Sequence, residues 1–315
     1  MDLLALPHEA PAAVAPVLVG RSEFPLRVFF GHHKCATGWI DHILMEICFH
    51  MGIRFYMAHV PAHFEPFGSI GGLVGAKKID FLAYTNADSR YLDRFAFYKA
   101  FHVVRDPRDV LVSAYFSHRH SHSTQGWPEL AAHREVLNRV SKEEGLFLEL
   151  EFSRPSFEEF DRWDYTQPNI LELKMEALSA APLDGFLRIA RYLDILDEER
   201  YNALEELSIQ LNTRMNRLNH KGRRFMPAQM PMFPVPRIPR YSIRAELIRR
   251  ILEKKSFQRM SGGRKAGEED VKNHFRKGVP GDWRNHFTPA LTEAFKYRYN
   301  AVVLKLGYET DEDWR

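Results

Sequence analysis

A glycine, two histidines, a lysine and a threonine crowd into Gly31–Thr37, directly after the apolar run Leu26–Phe30 ("LRVFF"). A strand that ends in such a loop and turns into a helix presents backbone amides, an ammonium and a hydroxyl to one oxyanion. The spacing is not the GxxxxGK[ST] of a nucleoside-triphosphate loop, which raises the question of which anion Lys34 holds. Further along, "VVRDPRDVLVSAYF" places Arg105 at a strand end and Ser113 about two helical turns later. A planar guanidinium fork with a hydroxyl beside it suits a phosphate. Arg108 and Asp109 in the same run read as salt bridges capping a helix. In "FRKGVPGDWRNHFT", Arg276 and Lys277 are followed by Gly278, giving two cations and an approachable amide on a loop suited to closing over an anion. Phe257 and Met260 of "KSFQRM" suit the face of a purine.

The elements that must position these groups follow from periodicity. "LRVFF" reads as a buried parallel strand, and Ile40, Ile43, Leu44, Ile47 and Cys48 recur at helical spacing over Thr37–Met51. Ile53–Val60, Asp80–Thr85, Lys99–Val104 and the run "PNILELKME" read as further strands. "PLDGFLRIARYLDI" reads as a helix, and Pro107 suits a first helical turn. Strands alternating with helices predict an α/β three-layer sandwich with a central parallel sheet and a P-loop-like anion loop. Two stretches interrupt the rhythm. Ser117–Asp164 is polar, with His118, His120 and His122 at its start, and Arg214–Lys277 carries eighteen Lys or Arg against five Asp or Glu.

Bulk properties exclude several classes. The 315 residues, 45% hydrophobic and 27% charged, suit a globular chain, and a net charge of +3 gives no case for nucleic acid. Cys35 and Cys48 cannot build a disulfide framework, which places the expectation in a reducing cytoplasm. No run is apolar and long enough to span a membrane. The opening twenty residues, with Asp2 and Glu9 and several prolines, read as a flexible leader over 1–24.

Four segments, in order, resemble the sulfotransferases that use 3′-phosphoadenosine 5′-phosphosulfate (PAPS). "HKCATGW" resembles their 5′-phosphosulfate loop, "VVRDPRDVLVSAYF" their 3′-phosphate motif, "SFQRM" their SFxxM, and "RKGVPGDWRNHFT" their RKGxxGDWKNxFT segment. The last places the chain nearer the cytosolic type. The resemblance implies one domain over 25–315 with mobile, substrate-covering insertions near 117–164 and 212–245. It implies that Lys34, Thr37, Gly38 and the loop amides, Cys35 and Ala36 included, hold the 5′-phosphosulfate, and that Trp39 stacks on adenine. Arg105 and Ser113 would hold the 3′-phosphate with Arg276, Lys277 and Gly278, while Ser256, Phe257 and Met260 line the adenine site. Trp283 reads as a packing anchor. PAPS would be the co-substrate, adenosine 3′,5′-bisphosphate (PAP) the product, and no metal is expected. The acceptor would be a small molecule, lipid or carbohydrate carrying a hydroxyl or amine.

The chain departs from that family in one telling place. Where the cytosolic type carries a catalytic histidine in a KTH segment, "AYTNAD" puts Asn86, which cannot take a proton. The base is then sought in "YMAHVPAHFEPF", at His59 or His63, with Glu65 behind them. Lys34 would stabilise charge on the departing phosphate. His32 and His33 read as local hydrogen-bonders. His118, His120 and His122 alternate in a way expected to splay them apart, against metal binding. Lys174 stands where a tyrosine commonly contacts adenine. Two other readings stay open: a P-loop-type kinase, and a catalytically inactive nucleotide-binding protein.

Overall fold

The computed structural model describes residues 25–94, 98–197, 202–225 and 239–315. The expected leader and residues 226–238 of the proline-rich run lie outside them. Strand β1 (Leu26–Gly31) leads through a short loop into α1 (Thr37–Met51), then β2 (Phe55–Ala58), α2 (Ile70–Lys77) and β3 (Phe81–Tyr84). Next come β4 (Tyr98–Val104), α3 (Pro107–Phe116), α4 (Pro128–Leu137), α5 (Lys142–Phe152) and α6 (Arg154–Arg162). They are followed by β5 (Ile170–Lys174), α7 (Met175–Ala180), α8 (Pro182–Tyr192), β6 (Leu196–Asp197) and α9 (Ala203–Phe225). The chain closes with β7 (Ile243–Arg244), α10 (Ala245–Lys254), α11 (Phe257–Met260) and α12 (Pro289–Lys305). The expected strand and helix positions hold, with the strands of 53–60 and 80–85 trimmed at both ends.

Five strands form a parallel sheet in the order β2-β3-β1-β4-β5. Side-chain alternation assigns its two faces. Phe29, Phe81, Ala83 and Phe101 pack on one face against Ile40, Ile43 and Leu44 of α1 and Ile248 and Ile251 of α10. Val28, Phe30, Leu82 and Tyr84 pack on the other against Leu73 and Val74 of α2 and Trp163. Phe29 stacks on Phe101 across β1 and β4 with centroids 4.8 Å apart. Each such fully buried ring contributes about 2–3 kcal/mol relative to exposure.

The stretch 117–164, polar in sequence, contributes apolar residues to the core. Leu130 and Leu137 of α4, Leu146 and Leu150 of α5, and Phe157 and Phe160 of α6 are all buried. Those on α5 and α6 join Val110 and Leu111 of α3 and Phe295 of α12 in one apolar cluster. Most charged residues of these helices cover their outer faces, but Glu149 of α5 and Glu159 of α6 are buried. In the second basic stretch, α9 is tied to α1 through Arg217 and Glu46 at 2.6 Å and Asn216 to the Phe49 carbonyl at 3.1 Å.

Strand order decides where a ligand sits. β1 runs on toward β2 at one side, whereas β4 and β5 lie at the other, so the loops after β1 and β4 diverge and leave a crevice at their carboxyl ends. Among the described residues, no helix is long and apolar enough to cross a membrane.

Candidate functional site

The loop after β1 is strained before any side chain is considered. Lys34 and Ala36, neither a glycine, sit at φ 64° and 57° in the left-handed region. Ala36 is the N-cap of α1 and offers no side-chain cap; its carbonyl accepts from the Trp39 and Ile40 amides, so the Thr37 and Gly38 amides at the start of the helix are the donors left for a ligand. The Cys35 amide bonds the His32 carbonyl at 3.2 Å, and its thiol is buried, with burial pushing its pKa up. Thr37 departs from its expected role as an anion donor: its hydroxyl donates to the His32 carbonyl at 2.8 Å and holds the loop closed.

Arg105, at the end of β4, reaches across the crevice and donates through Nη1 to the Lys34 carbonyl at 3.1 Å. It lies only 3.9 Å from Asp109, and its buried Nε has no hydrogen-bond partner in the protein. Lys34 itself is lowered to about 7, by burial first and by the charges of Arg105 and Arg276 next. Two cations held this close, one with an unanswered buried donor, fit an anion between them. Ser113 is half-buried on α3, two turns beyond Arg105.

The segment 276–283 closes the other side. Gly278, at φ 71°, lies so close to Phe257 that an added Cβ would fall 2.5 Å from its ring. The two expected binding segments therefore touch, and only glycine permits the contact. Ser256, the N-cap of α11, is half-buried with Phe257 and Met260. Arg276 lies over the Phe116 ring at 4.6 Å, one turn from Ser113. Trp39 donates from its indole to the Lys255 carbonyl at 2.9 Å and meets Phe186 edge-on. It is thus a wedge between α1 and the end of α10, while Gly38 beside it is exposed.

Sequence reasoning missed Asp282. Arg276 and Lys277 are not free cations: both donate to its buried carboxylate, at 2.6 and 2.5 Å, and Asn285 donates at 2.9 Å. Burial alone would raise this carboxyl, but the bonds from Lys277, Asn285 and Arg276 hold it well below the carboxylate range. The signal was one acid between two cations and a tryptophan in "RKGVPGDW". Asp109 does more than cap a helix. It accepts from the Gly281 and Trp283 amides at 2.6 and 2.9 Å, docking this segment on α3. Trp283 is the expected anchor, with the Arg108 guanidinium 4.0 Å from its ring. Lys174 donates to the Gly307 carbonyl at 2.7 Å and lies over the Tyr308 ring.

The histidines differ most from expectation. His59 is half-buried at the end of β2, with Nδ1 2.7 Å from the Thr85 hydroxyl and Nε2 3.3 Å from the Asn86 amide. Burial, then His63, lowers its pKa. His63 is exposed, and its Nδ1 accepts from the His59 backbone amide at 3.1 Å. Glu65 is exposed. His32 and His33 are not local bonders. His32 Nε2 meets His102 Nε2 at 2.6 Å, and His33 Nε2 meets His118 Nε2 at 2.9 Å. Nor do the later histidines all splay apart. A π-helical turn over Ser117–Ser121 brings His118 and His122 to one side, facing His33, and leaves only His120 outside the group. A cavity of about 370 Å³ opens beside them, lined by His33, Asn86, Asp88, His118 and Trp127 among others.

Comparison with known proteins bears on the C-terminal side of this site. Residues 238–307 match the sulfotransferase domain family. Sulfotransferase 1E1 of Cavia porcellus is 38% identical over 63 residues, 17% of this chain, and the match spans 21% of that relative's length. The chain also aligns with two solved structures. One is mouse sulfotransferase SULT7A1 complexed with PAP, at a TM-score of 0.46 and 15% identity over 90% of this chain and 86% of that one. The other is retinol dehydratase in complex with androsterone and inactive cofactor PAP, at 0.48 and 16% over 93% and 83%.

Proposed function

We propose, starting from the sulfotransferase-domain match of residues 238–307, that this protein transfers the sulfuryl group of PAPS to a hydroxyl or amine. The observation that carries the reading is Arg105: one nitrogen bonds the Lys34 carbonyl, and its buried Nε is left without a protein partner at the mouth of the β1–β4 crevice. The matched segment brings Arg276 close enough to depress Lys34, so three cations from three parts of the chain converge on one spot.

PAPS, when bound, supplies the sulfuryl group and a bisphosphate leaving group. Arg105, with Ser113 and Arg276 beside it, is placed to hold the 3′-phosphate. Lys34 and the first amides of α1 hold the 5′ end, and the lysine ammonium opposes the charge that grows there during transfer. Phe257, with Gly278 on its ring, and Met260 border the adenine. His59 is the base this reading favours over His63, because it is half-buried on the crevice edge and His63 is turned back onto the His59 amide. Its Nε2, which now faces Asn86, takes the acceptor's proton. The acceptor is a small molecule, lipid or carbohydrate entering from the cavity beside Asn86 and Asp88. The two cysteines are buried free thiols, in keeping with a cytoplasmic setting.

Calorimetry with PAP and with ATP, followed by turnover of labelled PAPS across phenols, sugars, lipids and amines, tests the reading. PAP binding without ATP binding, together with transfer to one acceptor class, is expected. Tight ATP binding would restore the kinase alternative, and PAP binding without turnover would leave a nucleotide-binding protein.

A further inference from the structure

Among the described residues stand two Glu–His–His chains, and they are not equivalent. In the first, His102 Nδ1 meets Glu172 and its Nε2 meets His32 at 2.6 Å; this pair is fully buried, with Trp163 stacked on His102 at 4.1 Å. In the second, Glu149 Oε1 accepts from His118 Nδ1 at 2.9 Å, and His118 Nε2 faces His33 Nε2 at 2.9 Å. Here a third imidazole, His122, completes a group whose ligand atoms lie within 4.8 Å of one another. We infer that His33, His118 and His122 form a site for a transition-metal ion such as Zn²⁺, with Glu149 as the carboxylate that orients His118.

The ring geometry supports this. Three imidazole nitrogens set tetrahedrally about 2.05 Å from zinc place their ring centres about 5.2 Å apart and the nitrogens about 3.3 Å apart. The three ring centres stand 5.0, 5.3 and 5.6 Å apart; to take an ion the His33–His118 nitrogens, now 2.9 Å apart, open by about 0.4 Å, and the His122 nitrogen, within 4.8 Å of both, turns in toward them. Glu149 is fully buried and also held by His133 at 3.0 Å and Ser153 at 2.5 Å. A carboxylate behind a ligand histidine fixes the tautomer that leaves Nε2 free to bind. The Lys34 charge opposes an added cation, and the Glu149 charge offsets it.

Three protein ligands leave a fourth position open, and His33 and His118 line the cavity beside Asn86. An oxygen bound there loses its proton more readily. That gives the ion a use where Asn86 stands in place of a basic side chain. This use rests on the sulfotransferase reading, but the site itself does not.

The test is titration of the metal-free full chain with Zn²⁺ by calorimetry and with Co²⁺ by visible absorption, in the absence of nucleotide. One equivalent with four-coordinate Co²⁺ bands is expected. His122→Ala should weaken it by at least about tenfold, Glu149→Gln by about 10- to 100-fold, and His120→Ala should leave it unchanged. Absence of a saturable site in the wild type, or a site indifferent to His122→Ala, overturns the inference. Circular dichroism checks each fold, and should Glu149→Gln misfold, His122→Ala decides alone. PAP binding is measured separately, so its failure with the metal site intact would sink the sulfotransferase reading and spare the site.

Discussion

Raising the pH from 7 to 9 should loosen the nucleotide, and Lys34 sets the size of the effect. The free protein holds this lysine at about 7, by burial and then by Arg105 and Arg276. About half of the molecules then carry the ammonium at pH 7, about 9% at pH 8 and about 1% at pH 9. A bound phosphate pulls the lysine back toward its ordinary value, so only the protonated fraction binds well. PAP affinity should therefore fall about fivefold from pH 7 to 8 and about tenfold from 8 to 9. That is roughly 2.3 kcal/mol in all. Binding at pH 8 should take up about 0.9 proton, read from calorimetry in buffers of different ionisation enthalpy. The histidines around the loop do not imitate this, because His33 and His122 are driven below neutrality, and burial pushes the Cys35 thiol the other way. Folding runs with the opposite sign. The lysine's folded pKa is below its unfolded one, so the ligand-free protein gains stability as pH rises from about 7 toward 10.5. A flat PAP affinity across this range, or the same slope in Lys34→Met, would refute the reasoning.

Arg105→Ala should weaken PAP by about ten- to several-hundred-fold while sparing adenosine 5′-phosphosulfate, which lacks the 3′-phosphate; equal losses would mark Arg105 as structural. Asp282→Asn breaks the buried pairing with Arg276 and Lys277 and should cost about 3–5 kcal/mol in urea unfolding at pH 7. Because the folded pKa of Asp282 is depressed, the wild-type contribution is present above about pH 3.9 and disappears as pH falls through the folded value, so the two proteins should converge in acid. His59→Ala should lower turnover about 10²- to 10⁴-fold with PAP affinity unchanged, and full turnover would move the base elsewhere.

Much of the frame was legible in the sequence because it rests on short-range pattern. Val28, Phe29 and Phe30 announce a strand buried on both faces, and the 3.6-residue recurrence from Ile40 to Cys48 announces α1. What escaped depends on which side chains the folded backbone turns toward one another, near or far along the chain. Asp282 looks like one acid in a basic run until Arg276 and Lys277 fold back onto it. The polar helices of 117–164 hide their apolar residues among charges, and only the packing shows Leu146, Leu150 and Phe157 facing α3 and α12. Alternate spacing at a helix end was read as splaying all three histidines apart, but it separates only His120 from the other two. On a helical turn four residues return to one side, and the π-helical geometry at Ser117–Ser121 adjusts the angle toward His33.

The docking of residues 281–283 on Asp109 has a consequence for how the molecule is made. Asp109 bonds Gly281 and Trp283 across 172 and 174 residues, and Trp39 bonds Lys255 across 216. Ribosomes add about 5–20 residues per second, so Asp109 emerges roughly ten to thirty seconds before the amides that will satisfy it. All five strands of the parallel sheet precede residue 175 and can pair in that interval. The Lys34–Arg105 corner is then built early with an open flank, and Arg276 arrives last. Affinity for a doubly phosphorylated nucleotide should accordingly appear late in synthesis, after the sheet, and a ribosome-bound chain stalled before residue 276 should fold its strands yet pass through a PAP column unretained.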